Sequence, residues 1–315
     1  MTHEDLTDRY RGALLGMAVG DAVGAALEFK SPGSFAPIDD MIGGGPFGLA
    51  PGQWTDDTSM ALCLAASLVE RQGFDARDQL DRYVRWWREG YMSSTGVNFD
   101  IGNTCRASLE RYLATGDPAA GATDPRTAGN GSIMRLAPVP LAYAHDPAAA
   151  IERAADSSRT THAAITAVDS CRYLAGLIVG ALRGAPKDEL LAPRYTPAPG
   201  AWDRAPLDPA VDLVAGGSFW HKQPPAIRGT GYVVDSLEAA LWAFARSDTF
   251  REGCLLAANL GDDSDTTAAV YGQLAGAFYG AAAIPAEWRA KITTPDMIVG
   301  YADQLLALSA RLAAA

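Results

Sequence analysis

Apolar positions along this chain recur at helical spacing, and no group of segments keeps the two-residue alternation of a half-buried strand. Leu6, Tyr10, Leu14 and Met17 mark a first helix over residues about 6–27. Leu80, Tyr83, Val84 and Trp87 form the apolar stripe of another at 75–91, which follows one at 55–72. Further helices are expected at 104–115, 147–157, 162–183, 233–246, 249–259, 265–282 and 295–313, with another helical segment entered after Arg135. The pattern predicts an all-α fold, one domain over residues 1–315, with its loops gathered at one end.

Glycines refine this picture. Gly12, Gly16, Gly20 and Gly24 fall on one helical face, and Gly272, Gly276 and Gly280 repeat the device near the other end of the chain. Each glycine costs a helix roughly 1 kcal/mol against alanine, so two such stripes imply that the two helices pack closely on each other. Residues 31–53 form a breaker-rich loop, and 186–231 hold a dense scatter of Pro and Gly. The second stretch reads as a surface excursion with at most short helices, suited to a lid.

The chain has 315 residues, 48% hydrophobic and 20% charged, enough to bury a substantial core. A net charge of -11 argues against nucleic acid as the main partner. No apolar run is expected to span a membrane, and the first residues lack the basic start and apolar segment of a signal peptide. Cys63, Cys105, Cys171 and Cys254 have no paired spacing and read as reduced core residues of a cytoplasmic protein.

Two helix starts carry the candidate chemistry. In Gly261-Asp262-Asp263-Ser264-Asp265-Thr266-Thr267, three carboxylates fall within four residues. One acid there is an ordinary cap. Three repel by about 1 kcal/mol or more per pair, and a bound cation would relieve that. Trp54-Thr55-Asp56-Asp57-Thr58-Ser59 opens a second helix in the same way. The donors are oxygens only, which favours Mg²⁺ or Mn²⁺, with Ca²⁺ allowed, over zinc. Asp21 reads equally as a solvated surface acid or an inward one, while Glu28, within Ala-Ala-Leu-Glu-Phe, is directed into something. Gly129-Asn130-Gly131-Ser132 fits either an anion cradle or, more commonly, a plain turn and cap. His162, at the expected start of the 162–183 helix, would by itself be structural.

Taken together, Gly20-Asp21-Ala22-Val23-Gly24 with Glu28, Thr55 to Thr58, Asp100-Ile101-Gly102-Asn103-Thr104, Gly129 to Arg135, Thr161-His162-Ala163 and Gly261 to Thr266 resemble the ADP-ribosylglycohydrolase family. The resemblance runs in order over residues 11 to about 282 and is greatest to its bacterial branch, the dinitrogenase reductase-activating glycohydrolases. It implies a compact orthogonal helical bundle with two divalent cations, Mg²⁺ or Mn²⁺, in a cleft. The implied metal ligands are Glu28, Thr55, Asp56, Asp57, Asp263, Asp265 and Thr266, with Asp262 an outer acid or cap. The Gly129, Asn130, Gly131 and Ser132 turn would hold the diphosphate and distal ribose, His162 would contact the adenosine side, and Tyr232 would stack on adenine. Asn103 and Asp100 would flank the scissile ribose. The 186–231 stretch matches nothing in the resemblance.

The implied substrate is an ADP-ribosylated protein, cleaved at C1 of the distal ribose through an oxocarbenium-like transition state. Asp100 is the first choice for proton transfer and Asp56 or Asp57 the second, because a carboxylate that holds a metal is a poor base. Arginine is favoured as acceptor by resemblance alone. ADP-ribosyl-serine, O-acetyl-ADP-ribose, a silent ADP-ribose binder, a calcium-dependent structural domain and a diphosphate phosphohydrolase are the rivals. No calcium-loop pattern is present. A monomer is expected.

Overall fold

A computed structural model describes residues 2–314. Its long helices are α1 (His3–Gly24), α2 (Asp56–Arg71), α3 (Ala76–Glu89), α4 (Asn103–Thr115), α5 (Pro147–Arg159), α6 (Ile165–Leu182), α7 (Val233–Ala245), α8 (Phe250–Ala258), α9 (Ser264–Tyr279) and α10 (Pro295–Ala313). Among the described residues there is no strand, only isolated bridges such as Gly129–Tyr232 and Ala122–His162. The all-α expectation holds.

Local sequence explains several helix starts. Thr2 and Asp5 form a reciprocal capping box at α1, and Asp75, Asp146 and Thr249 cap α3, α5 and α8 through their own side chains. Thr55 before α2 and Asp263 before α9 make no side-chain cap bond of their own. Those two starts are the acid-rich ones, so their side-chain oxygens are left for another task.

Helices α1 and α9 form the central pair. A Cβ on Gly16 would fall 2.5 Å from the Gly272 carbonyl oxygen, and one on Gly20 would run into the carbonyl of Ala268. The glycine stripes thus let the two backbones touch, as their spacing predicts. Ser264 Oγ donates to the Gly24 carbonyl at 2.8 Å, which seats the start of α9 on the end of α1. A main core runs from Tyr10 through α6, α7 and α9 to Leu308, and a smaller one joins Met60, Tyr83, Trp86 and Leu109.

Two expectations are corrected. First, α6 is long and apolar enough to cross a membrane, but 83% of it is buried inside the fold, so it reads as a core helix. Second, His162 does not start that helix. Its N–H bonds back to the Ser158 carbonyl and its backbone bridges Ala122, so helical geometry resumes only at Ile165. The helical segment expected after Arg135 is present as a short helix, Pro138–Ala142. The 186–231 stretch contains short helices at Lys187–Leu190, Ala201–Arg204 and Pro209–Ala215, with Val211, Val214 and Phe219 buried against the main core.

Candidate active site

The start of α2 is capped from a distance. Asp21, in the last turn of α1 and fully buried, accepts from the Thr55 N–H and hydroxyl at 2.9 Å each through Oδ1. Its Oδ2 accepts from the Thr58 N–H at 3.0 Å and the Thr58 hydroxyl at 2.6 Å. Asp21 is therefore inward-facing, and it relieves Asp56 and Asp57 of capping.

The two acidic helix starts meet. Thr55 Oγ1 lies 2.9 Å from Asp21 Oδ1, 3.3 Å from Asp57 Oδ2 and 3.2 Å from Asp265 Oδ2. Thr266 Oγ1 lies 3.4 Å from the same Asp57 oxygen. One hydroxyl has one proton, so Thr55 satisfies only one of its three carboxylate neighbours. Glu28, Asp100 and Asp265 each bring an oxygen to within 4.8 Å of the others. Buried Glu28 Oε2, Asp57 Oδ1 and Asp265 Oδ1 have no hydrogen-bond partner. Orphaned buried oxygens on several acids, with no cationic side chain among them, fit hard divalent cations.

Electrostatics agree with that fit. Burial, then the charges of Asp100, Asp263, Asp57 and Asp21, pushes Glu28 up to about 10. Burial foremost also drives Asp56, Asp57 and Asp265 well above the usual carboxylate range. Asp100 rises to about 7, mainly by burial and then through Asp263 and Asp21. Like charges in a dry pocket resist ionisation, and a cation reverses that resistance.

A cavity of about 360 Å³ opens over this cluster. Glu28, Asp56, Asp100, Asp263, Asp265 and Thr266 line it, together with Asn103, Gly129, Asn130, Gly131 and His162. Asn130 Nδ2 donates to Asp263 Oδ2 at 2.9 Å, so the glycine turn also fixes a cluster acid. Thr55 and Asp57 sit behind the lining, tied to Asp265 and Thr266. Asp262 faces away and pairs with Arg228 at 3.1 Å.

Two of the expected contact residues, Ser132 and Tyr232, do not line the cavity. Ser132 turns from the cavity into the core, where its hydroxyl meets Ser158 Oγ at 2.8 Å and Cys171 Sγ at 3.4 Å. Tyr232 is 38% exposed and lies outside the lining, although its backbone pairs with Gly129 beside it.

His162 is placed by a residue to which the sequence assigned no role. Fully buried Arg135 stacks over Tyr83, with 4.5 Å from guanidinium carbon to ring centre. It donates to the Gly131 carbonyl at 2.9 Å and to Thr161 Oγ1 at 2.7 Å. Thr161 Oγ1 in turn lies 2.8 Å from His162 Nδ1. Thr161 Oγ1 thus joins Arg135 to Nδ1, while the other ring nitrogen, Nε2, faces Gly129 and Gly131. Burial and Arg135 hold His162 down at about 3, so it is neutral. A Cβ on Gly131 would come within 2.7 Å of the imidazole, so glycine is required there. The available signal for Arg135 was a cation inside the apolar run Ile133-Met134-Arg135-Leu136-Ala137.

Phe29 also escaped notice. It lines the cavity mouth, is 68% exposed, and holds φ at 61°. That left-handed geometry costs a bulky residue roughly 1–2 kcal/mol. Its N–H donates to the Asp262 carbonyl at 2.7 Å, and the Asp262 N–H returns to the Lys30 carbonyl at 2.8 Å.

An all-α fold with oxygen-rich helix starts converging under a cavity defines a hydrolase scaffold suited to divalent cations. The ADP-ribosylglycohydrolase family model matches residues 2–314, and the chain belongs to that family. It is an enzyme that hydrolyses a glycosidic bond to ADP-ribose. Among its relatives, "ADP-ribosylarginine hydrolase Tri1" of Pseudomonas putida is 46% identical over 97% of this chain and 80% of its own length. The Serratia proteamaculans protein of the same name is 42% identical over 95% of this chain and 79% of its own. The "ADP-ribosyl-[dinitrogen reductase] glycohydrolase" of Rhodospirillum rubrum is 35% identical over 98% and 99%. A solved structure, "ADP-ribosylglycohydrolase-related protein complex", superposes with a TM-score of 0.86 at 48% identity, covering 97% of this chain and 99% of that one.

Proposed function

We propose that the enzyme removes ADP-ribose from arginine side chains of modified proteins, using two divalent cations, Mg²⁺ or Mn²⁺. The observation that carries the acceptor assignment is the pair of relatives named ADP-ribosylarginine hydrolase, 46% and 42% identical over nearly the whole chain. The acid-lined cavity supports it, because such a wall attracts a cationic guanidinium.

Glu28, Thr55, Asp56, Asp57, Asp263, Asp265 and Thr266 would hold the cations. When bound, these ions supply Lewis acidity toward oxygen at the reacting centre. The protein's own groups do the rest. Asp100 lies at the cavity wall beside Glu28 and Asp265, where an oxygen of each comes within 4.8 Å of the others. Cleavage breaks the bond between C1 of the distal ribose and the arginine nitrogen, and water supplies the new C1–O bond. Asp100 takes the water proton and returns one to the departing nitrogen, and its place on the cavity wall, outside the set that would hold the cations, leaves it free for both transfers. Asn103 stands at the first turn of α4 on the same wall. His162 sets its Nε2 edge beside the Gly129–Gly131 backbone, a neutral imidazole that meets the ADP-ribose body.

Incubation with ADP-ribosyl-arginine and ADP-ribosyl-serine peptides, with Mg²⁺, Mn²⁺ or chelator, tests the reading by mass spectrometry. Free ADP-ribose and unmodified arginine, formed only with metal, are expected. Cleavage of the serine peptide alone would overturn the acceptor, AMP would indicate a phosphohydrolase, and tight ADP-ribose binding without product would leave a binding module. We also read the chain as one domain acting as a monomer. Its four free, buried cysteines support a reducing, cytoplasmic setting.

A further inference from the structure

The segment from Phe29 to Gln53 is built around left-handed backbone. Positive φ occurs at Phe29, Gly33, Gly43, Gly44, Gly45, Gly48 and Gly52, and Phe29 alone of these is not glycine. Glycine takes that geometry without penalty, whereas a bulky side chain does not. Phe29 recovers nothing by burial, because it remains 68% exposed. For the fold alone, the residue is costly twice over.

Its placement gives it a use. Phe29 follows Glu28 directly and lines the mouth of the acidic cavity with Asp56 and Asp100. Its backbone is locked: the N–H bonds to Asp262, Asp262 bonds back to Lys30, and Arg228 holds the Asp262 carboxylate at 3.1 Å. A strained position clamped on both sides and carrying an exposed aromatic at a cavity mouth points to a ligand that meets the ring. With carboxylates along the wall, the complementary group is a planar cation, since a guanidinium stacks on an aromatic face.

We propose that Phe29 is the acceptor-side platform of this enzyme, its ring stacking on the guanidinium of the arginine released from ADP-ribose. This rests on the arginine reading above and deepens it. Phe29 is a specificity-determining residue: it holds the leaving group and leaves the grip on ADP-ribose to the glycine turn and His162.

The test compares wild type with F29L, F29G, F29Y and F29W, all metal-loaded. It reads kcat and KM on ADP-ribosyl-arginine, Kd for free ADP-ribose by calorimetry, and Tm. The F29L and F29G variants should lose roughly 3- to 30-fold in kcat/KM, the range a cation–π contact spans. F29Y and F29W should retain it, and Kd for ADP-ribose should not move. F29G relieves the backbone, so its Tm should equal or exceed wild type while activity falls, which excludes misfolding as the cause. Unchanged kcat/KM in F29L and F29G would overturn the assignment, as would an equal loss of ADP-ribose affinity. Wild-type enzyme that does not cleave ADP-ribosyl-arginine would overturn the substrate reading and this assignment together. Wild-type turnover with unaffected variants overturns this assignment alone.

Discussion

Thr58 donates its hydroxyl to Asp21 across 2.6 Å, bonding the first turn of α2 to a side chain 37 positions earlier. The Thr58 and Thr55 N–H groups and the Thr55 hydroxyl complete four hydrogen bonds to one carboxylate. An amide at this position keeps one acceptor oxygen and sets its NH₂ against donors. Asp21→Asn is therefore expected to cost about 2–4 kcal/mol in chemical denaturation, since unsatisfied buried donors are expensive. Because Thr55, Asp56 and Asp57 lie on the turn it holds, Mg²⁺ or Mn²⁺ affinity should fall roughly 10- to 100-fold by calorimetry. Unchanged metal affinity would confine Asp21 to a purely structural part.

The same packing transmits strain from the core to the site. Gly20 precedes Asp21 on the face of α1 that touches α9, and a Cβ there would run into the Ala268 carbonyl, which no rotamer change can move. Gly20→Ala should force the helices apart and lose about 1–3 kcal/mol. It should also weaken divalent binding, because Asp21 and Glu28 ride on one side of that contact and Asp265 on the other. A stability loss with full metal affinity would show that the helices adjust elsewhere.

Much of this arrangement was legible in the sequence, for physical reasons. The glycine stripes imposed the α1–α9 pair because nothing else repays their propensity cost, and the oxygen-only donors at the starts of α2 and α9 pointed to a shared cation. What escaped depends on direction. Asp21 sits in the second half of α1, where every residue is buried, so periodicity could not say which side it faced. Ser132 follows the cavity turn by one residue, and that step rotates its hydroxyl into the core. His162 was expected in a helix because Ala and Thr around it are compatible with one, yet bonds to Ser158 and Ala122 delay the helix to Ile165. Phe29 betrays itself only through φ, which a sequence does not print.

Metal removal should have a pH signature. In the metal-free protein, Asp21 is raised to about 6, Asp100 to about 7 and Glu28 to about 10, all above their unfolded values. The folded state thus binds more protons than the unfolded one, and stability falls as pH rises from about 4 through these values. A cation favours the charged forms and removes that loss. The gain in Tm on adding Mg²⁺ or Mn²⁺ should therefore grow between pH 5 and pH 8. A gain that is flat or shrinks with pH would argue that these carboxylates do not hold the ion.

His162 should give the opposite slope. Its folded pKa of about 3 lies below the model-peptide value of 6.5, so the unfolded state takes up the extra proton. Its contribution is fully present above pH 6.5 and is lost as pH falls toward 3. At pH 5 the loss is about 2 kcal/mol, from about 1.4 kcal/mol per pH unit. Subtracting the denaturation curve of His162→Gln from that of wild type isolates the effect, since the acids are common to both. The difference should narrow in wild type's disfavour between pH 7 and pH 5, and a pH-independent difference would contradict the buried neutral imidazole.

Asp100→Asn separates chemistry from structure. Asp100 holds φ at 63°, a geometry asparagine tolerates, so the backbone at the cavity wall should survive the change. The variant removes a charge that, after burial, helps raise both Glu28 and Asp265. The metal-free protein should consequently gain Tm at pH 8. Turnover should move the other way: loss of a positioned proton carrier is expected to lower kcat roughly 10²- to 10⁴-fold, while free ADP-ribose still binds. A residue with only a structural part would not raise stability and abolish turnover in the same variant. Wild-type kcat on ADP-ribosyl-arginine would remove Asp100 from the proton-transfer role and pass it to Asp56 or Asp57, the other acids beside the reacting centre.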